Sequence, residues 1–312
     1  MLTVLGITGP IFVLIGIGFA AVRCGALVKT EIRSLGVFVI NFALPALLFK
    51  AMSERSLGDL LNLRLLGIYT LGSLAVIAGG IAFFCLIQKR SIQSAAVSAM
   101  GISLSNSAFI GLPIASQLIG SAATSNLAVY AVVENLILIP LLMIFAEFGG
   151  HSDRHWMLIL RDIFLRLLRS PMLMSILIGV AFSALELQLP LPISRVVDLL
   201  SGASSPVALF YVGCILARLN LKGMGADIGS IVIGKLIFHP LAVFGIFILI
   251  PFDDPTLRTA AIINASMPMM SIYPLLGQKY EREGICAAAL VAATVTSFFT
   301  ISLLLWVTDI GQ

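Results

Sequence analysis

Long apolar segments follow one another along the whole chain, separated by short polar connections. Ten of them come close to the ~20 residues that a helix needs to cross the hydrocarbon core of a bilayer. Their approximate limits are 4–22, 34–52, 65–87, 94–119, 125–146, 171–188, 199–217, 229–250, 259–277 and 285–307. The pattern therefore predicts an all-α integral membrane protein with ten transmembrane helices. The boundary between the sixth and seventh spans is the least sharp, because Pro190, Pro192 and Arg195 lie there.

Two of these spans, the fourth and the ninth, are interrupted by proline and polar residues. We expect the helix to break at Gly111 and Pro113 in the fourth span and at Pro268 in the ninth. Inside hydrocarbon a break leaves backbone groups unpaired, so it persists only where protein buries it or where it lines a cavity. Interruptions at corresponding places in two halves of a chain indicate the substrate site of a secondary transporter.

Composition and charge agree with a membrane location. Hydrophobic residues make up 59% of the chain and charged residues 11%, against about 25% charged in soluble domains. Of the 19 Lys and Arg residues, 13 follow odd-numbered spans, 5 follow even-numbered spans, and Lys235 lies inside a span. The bias predicts a cell inner membrane protein with cytoplasmic odd-numbered connections and both termini on the non-cytoplasmic side. The same Lys and Arg residues account for the pI of about 9.0, so the basic charge is no argument for binding to nucleic acid.

The two halves of the chain resemble each other. Pro10, Ile17, Gly18 and Ala20 recur 161 positions later, and the segment Pro45 to Phe49 resembles Pro206 to Phe210 at the same offset. Pro113 aligns with Pro268 at an offset of 155. We predict repeats over 1–146 and 171–312, inverted because each has five spans. The cytoplasmic connector 147–170 carries a partly amphipathic pattern, which fits either a helix at the lipid surface or a basic linker.

Five segments resemble the signatures of auxin efflux carrier-type transporters, and the short connector is similar to that of the bacterial branch. The segments are Asn41 to Phe49, Asn106 with Gly111 to Pro113, Pro206 to Gly213, Lys235 to Pro240, and Met267-Pro268 with Gln278 to Tyr280. The resemblance covers essentially the whole chain, in order. It implies ten helices, a crossing of helices four and nine, a fold related to bile-acid:sodium symporters, and transport of small organic anions.

The polar residues around the two breaks are the candidates for binding substrate. Helices that begin at a crossing present N–H groups and a positive dipole end to an anion. Amide and hydroxyl side chains can add donors. The candidates are Ser105, Asn106, Ser107, Asn264, Ser266 and Ser271. We expect a substrate carboxylate near Asn106 and Pro268 in an asymmetric site, while a role limited to satisfying the broken backbone stays open.

Ionisable residues inside spans are functional candidates because they are costly there. Glu134 suits two roles: it would carry the proton that couples transport, or it would form an ion pair with a cation. Lys235 fits coupling or snorkelling to the headgroups, and His239 fits titration or helix packing. We assign Asn41, Pro45 and Pro206 to kinks in scaffold helices.

The function that these features favour is secondary transport of a mono- or dicarboxylate by alternating access. It would be proton-linked, or a uniport driven by the membrane potential. A sodium-coupled symporter of the bile-acid type, a receptor that does not transport, and a channel are the alternatives. The sequence has no phosphate-binding loop, catalytic triad or metal-ligand spacing, so we expect neither an enzyme nor a cofactor. The oligomeric state stays open, with a homodimer among the options.

Overall fold

The computed structural model describes residues 2–54, 62–120, 122–149, 161, 165, 169–217 and 225–307. Within these residues the chain is helical, with one isolated β-bridge and no strand. The helices are α1 (Leu2–Arg23), α2 (29–53), α3 (Leu63–Ile87), α4 (Ile92–Ser103), α5 (Ser107–Ile119), α6 (122–148), α7 (Pro171–Ala184), α8 (Leu191–Leu216), α9 (Gly225–Leu249), α10 (Pro255–Ser266), α11 (Tyr273–Gln278) and α12 (Glu283–Val307). The predicted connector helix lies almost entirely outside the described residues.

Among the described residues, six helical segments are long and apolar enough to cross a membrane: Thr30–Ser53, Leu63–Ile87, Val129–Phe148, Leu191–Leu216, Gly225–Leu249 and Glu283–Trp306. Large apolar side chains cover their outer faces, among them Leu199, Leu249 and Phe299, each at least 66% exposed. Such a surface is stable in lipid and not in water. The chain is therefore a multi-pass membrane protein. The remaining predicted spans fall on α1, on α4 with α5, on α7, and on α10 with α11.

Five wide π-helical turns interrupt these helices, at Val39–Ala43, Phe83–Ile87, Ser107–Gly111, Val133–Leu138 and Gly234–Phe238. Four of the five end two residues before a proline: Pro45, Pro113, Pro140 and Pro240. A proline ring clashes with the carbonyl four residues earlier, and here that carbonyl lies inside the widened turn. The π turns thus let the helices continue through their prolines. In the first of these π turns, the Asn41 side chain adds a hydrogen bond, because its Nδ2 donates to the Val37 carbonyl at 3.0 Å.

The helices pack as two groups. The scaffold group is α1, α2, α7 and α8, in which α1 packs on α8 and α2 on α7. The crossover group is α3 to α6 and α9 to α12, and it encloses the largest apolar core. Two smaller cores lie where α5, α6, α10 and α12 meet the scaffold group. The surface between the two groups is therefore mainly apolar.

Glycines allow the close packing inside the scaffold group, and they do so twice in the same way. A Cβ on Gly18 would lie 2.0 Å from the Phe210 carbonyl oxygen. A Cβ on Gly179 would lie 2.8 Å from the Phe49 carbonyl oxygen. Gly18 with Gly179, and Phe49 with Phe210, are the pairs that the 161-residue offset relates. Small residues at such crossings let membrane helices approach closely.

Ion pairs gather at the two ends of the helices. Arg90 and Arg282 both contact Asp227, with shortest N···O distances of 2.8 and 3.5 Å, and Lys279 pairs with Glu147. All five residues belong to odd-numbered connections or the adjacent span ends.

The other end carries its own pairs. Lys50 pairs with Asp198, and Arg64 lies 3.6 Å from Asp253, all near even-numbered connections. These pairs thus join odd-numbered connections to one another and even-numbered connections to one another. Each of these pairs also joins residues of a single group, either the scaffold or the crossover group.

Candidate functional site

Two short non-helical segments cross in the middle of the crossover group. One is 104–106, between α4 and α5, and the other is 267–272, between α10 and α11. The N–H of Asn106 donates to the Pro268 carbonyl at 2.8 Å, and the N–H of Met270 donates to the Leu104 carbonyl at 3.3 Å. Ser105 and Met269 thereby form an antiparallel bridge. Each broken segment satisfies part of the other's backbone.

The position of the first break corrects the sequence prediction. We predicted it at Gly111 and Pro113, but Gly111 ends a π turn and Pro113 lies in the first turn of the α-helix after it. The π turn absorbs the proline, and the helix stops earlier, at Leu104, whose backbone is extended. The ninth span breaks at Pro268 as predicted, and Met267 before it is extended, as residues before proline usually are.

The predicted binding residues meet at this crossing, with one exception. Asn106 donates from Nδ2 to Ser271 Oγ at 2.8 Å, and both side chains are buried. Asn264 donates from Nδ2 to the Tyr69 hydroxyl at 2.9 Å. Ser266 instead donates to the Ile262 carbonyl of its own helix at 2.8 Å, so its hydroxyl makes no bond to another helix.

Glu134 lies beside the crossing, in the π turn of α6, and is 1% exposed. Its Oε1 accepts from the Tyr69 hydroxyl at 3.1 Å, from the Ser105 N–H at 3.1 Å and from Ser107 Oγ at 3.0 Å. Three donors around one carboxylate favour its charged form, since a buried carboxylate needs hydrogen bonds and a nearby cation to remain ionised.

Lys235 of α9 supplies that cation. Its Nζ donates to Ser105 Oγ at 2.6 Å and to the Ala265 carbonyl at 3.3 Å, and lies 2.7 Å from His239 Nδ1. Three acceptors match the three N–H bonds of an ammonium group. Lys235 is fully buried and does not snorkel. Ser105 connects the pair, since its N–H contacts Glu134 and its hydroxyl contacts Lys235.

His239 completes the network as a neutral ring. With Nδ1 accepting from Lys235, its Nε2 carries the proton and donates to Ser73 Oγ at 3.0 Å. The three ionisable residues singled out in the sequence are therefore joined in one buried cluster around Ser105.

The sequence analysis missed two members of this cluster, Tyr69 and Ser73 of α3. The Tyr69 hydroxyl donates to Glu134 and accepts from Asn264, and its ring lies 5.9 Å from that of His239. A signal was available, because Tyr69 and Ser73 are four residues apart, as are Lys235 and His239. Such spacing puts each pair on one helix face.

A small cavity lies beside the cluster, where the scaffold and crossover groups meet. It measures about 40 Å³ and is lined by polar residues including Ser105, Asn106, Ser107 and Glu134, and by apolar residues of α2 and α7. Ligand pockets usually hold about 300 Å³ or more. The cavity as it stands is therefore smaller than a usual ligand pocket.

A larger groove of about 630 Å³ runs between α3 and α9, lined by Gly79, Gly80, Phe83 and Phe238 among others. Ser230 is the one side-chain hydroxyl in its lining. An organic anion needs several donors, so the groove does not fit one. The smaller polar cavity is the candidate site.

Buried polar groups at a crossing of broken helices, in a multi-pass membrane protein, define the class of membrane transporters. The chain matches the family model "Membrane transport protein" over residues 4–307. It therefore belongs to this family, the auxin efflux carrier-type family that its signature segments resemble.

Similar proteins come from bacteria and animals. A "Putative malonate transporter" of Rhizobium meliloti (strain 1021) is 27% identical over 316 residues, covering 100% of this chain and 98% of the relative. "Uncharacterized transporter YfdV" of Escherichia coli (strain K12) is 25% identical, covering 96% and 95%. The "Lysosomal cholesterol signaling protein" of Mus musculus is 25% identical over 83% of this chain and 31% of the relative.

The cluster predicts a strong energetic coupling between Lys235 and Glu134. We expect Lys235→Met alone to destabilise the protein by about 3–5 kcal/mol, because it leaves a buried carboxylate without its cation. Adding Glu134→Gln should restore most of that stability. The measurement is thermal unfolding of the purified protein in detergent. Losses that simply add in the double variant would contradict the charge pair.

Proposed function

We propose that the protein is a secondary transporter that carries a small organic anion by alternating access, with the substrate bound at the crossing. The observation that carries the proposal is the group of buried amide and hydroxyl donors where α4, α5, α10 and α11 meet. Asn106 lines the cavity beside that crossing. The α5 helix begins one residue later, and the N–H groups of its first turn, which have no partner within the helix, favour an anion.

We further propose that the chain has ten transmembrane helices in two inverted five-helix repeats, with both termini outside the cell inner membrane. The related contacts of Gly18 with Phe210 and of Gly179 with Phe49 support the repeats. Ion pairs join odd-numbered connections to one another and even-numbered connections to one another, which supports the alternation of the spans across the membrane. The excess of Lys and Arg after odd-numbered spans supports the orientation.

Movement of the crossover group against the scaffold group would open the site to each side in turn. The surface between them is mainly apolar, and the ion pairs lie within single groups, so relative motion breaks few directional contacts. The named relative favours a carboxylate substrate, and malonate is the first compound to test.

Uptake by an Asn106→Ala variant tests the site. We expect the variant to lose at least about tenfold in affinity for the carried carboxylate, because a hydrogen bond to a charged group is lost. Uptake of labelled malonate into proteoliposomes measures it. Asn41→Ala is the matched control, because the Asn41 amide bonds to the Val37 carbonyl of its own helix and lies outside the lining of the cavity. Unchanged affinity in the Asn106 variant at normal expression would remove Asn106 from the site.

We propose protons, and not sodium, as the coupling ion. A sodium site needs several free oxygen ligands, and the Lys235 ammonium already takes Ser105 Oγ and the Ala265 carbonyl at the crossing. Glu134 lines the cavity, so as a carboxylate it repels an anionic substrate. Protonation of Glu134 removes that charge and leaves Lys235 to attract the anion. Proton binding and anion binding then favour each other.

The coupling proposal predicts two results in proteoliposomes. Uptake by the wild-type protein should rise as the external pH falls and should not change when choline replaces sodium. A Glu134→Gln variant should lose this pH dependence, because glutamine cannot bind the proton. A requirement for sodium would favour the symporter of the bile-acid type, and an unchanged pH profile in the variant would remove Glu134 from coupling.

Counterflow in the same vesicles separates a carrier from the remaining classes. A carrier accelerates uptake of labelled substrate when unlabelled substrate is inside, whereas a channel or a receptor does not. The receptor alternative has some support, since one relative is named a signaling protein.

A further inference from the structure

Asn126 and Tyr130 lie one turn apart on α6, beside the cluster at the crossing. The Tyr130 ring lies 4.8 Å from that of Tyr69. Asn126 and Tyr130 are each 3% exposed. Among the residues that the structure describes, neither Asn126 Nδ2 nor the Tyr130 hydroxyl has a hydrogen-bond partner. A buried donor without a partner costs about 1–3 kcal/mol. These two donors are set apart from other buried groups without partners because they share one helix face and both line the same cavity.

Both side chains line a second small cavity, of about 10 Å³. It lies on the other side of Ser107 and Leu127 from the cavity that contains Asn106, since these two residues line both. Asn264 also lines the second cavity. The two cavities are thus neighbours, each with its own donors.

The chemistry of the second cavity fits an anion. Asn126 Nδ2 can only donate, and the Tyr130 hydroxyl can donate to the same acceptor. Neither donor bonds to the charged groups nearby. Glu134, one turn further along α6, already accepts from Tyr69, Ser105 and Ser107.

We propose that Asn126 and Tyr130 bind the second carboxylate of a dicarboxylate whose first carboxylate lies near Asn106. The carrier then selects short dicarboxylates over monocarboxylates. The inference rests on the proposed function, because it assigns two further residues to the same substrate. All the residues that line the second cavity belong to the crossover group, so the two cavities join into one elongated site when the Ser107 or Leu127 side chain between them is displaced as the substrate binds.

Binding of malonate and of acetate to purified full-length variants tests the assignment. Tyr130→Phe removes one hydroxyl, and Asn126→Leu removes the amide at similar volume. Each should weaken malonate binding by about tenfold or more and leave acetate binding unchanged, because acetate has no second carboxylate. Thr70→Val and Ser302→Ala are matched controls, since their buried hydroxyls also lack partners among the described residues but line neither cavity.

The outcomes separate this inference from the proposed function. If the wild-type protein binds malonate and Tyr130→Phe and Asn126→Leu bind it equally well, the second subsite is wrong and the carrier stands. Equal losses for malonate and acetate would also overturn the inference, because the residues would then act on any anion. A wild-type protein that binds and carries neither compound nor any other carboxylate would overturn the proposed function itself.

Discussion

The arrangement of the site depends on one constraint: a polypeptide broken inside hydrocarbon must find hydrogen-bond partners within the protein. The two breaks meet this constraint by pairing with each other across Ser105 and Met269. That pairing brings four helix ends to one point and holds polar side chains where water is scarce. The same geometry that stabilises the backbone therefore creates a place where an anion can replace water's hydrogen bonds.

Charge at the crossing is balanced inside the protein. Lys235 and Glu134 approach Ser105 from different helices, and each makes hydrogen bonds to three groups. Removing two charges from water is expensive, so such a pair is poor evidence for stability alone. Its position beside the cavity supports a role in which a single proton changes the electrostatic potential that a substrate meets. The scaffold group, by contrast, is held mainly by close contacts at Gly18 and Gly179.

Simple rules recovered much of this architecture from the sequence. Charged residues are so unfavourable in apolar spans that Glu134, Lys235 and His239 stood out, and the structure joins all three. The break of the fourth span was misplaced because proline was taken as its marker, whereas a π turn accommodates Pro113 and no proline marks Leu104. Tyr69 was missed because a tyrosine within an apolar span looks like an ordinary packing residue until its hydroxyl partners are known.

The central claim is that the crossing faces each side of the membrane in turn. A single cysteine introduced as Ala108→Cys, in a chain whose four native cysteines are replaced, tests it directly, because Ala108 lines the cavity that contains Asn106. In oriented vesicles, a membrane-impermeant thiol reagent should modify this cysteine from either side, and malonate should slow the reaction. Modification from one side only, with or without malonate, would contradict the account.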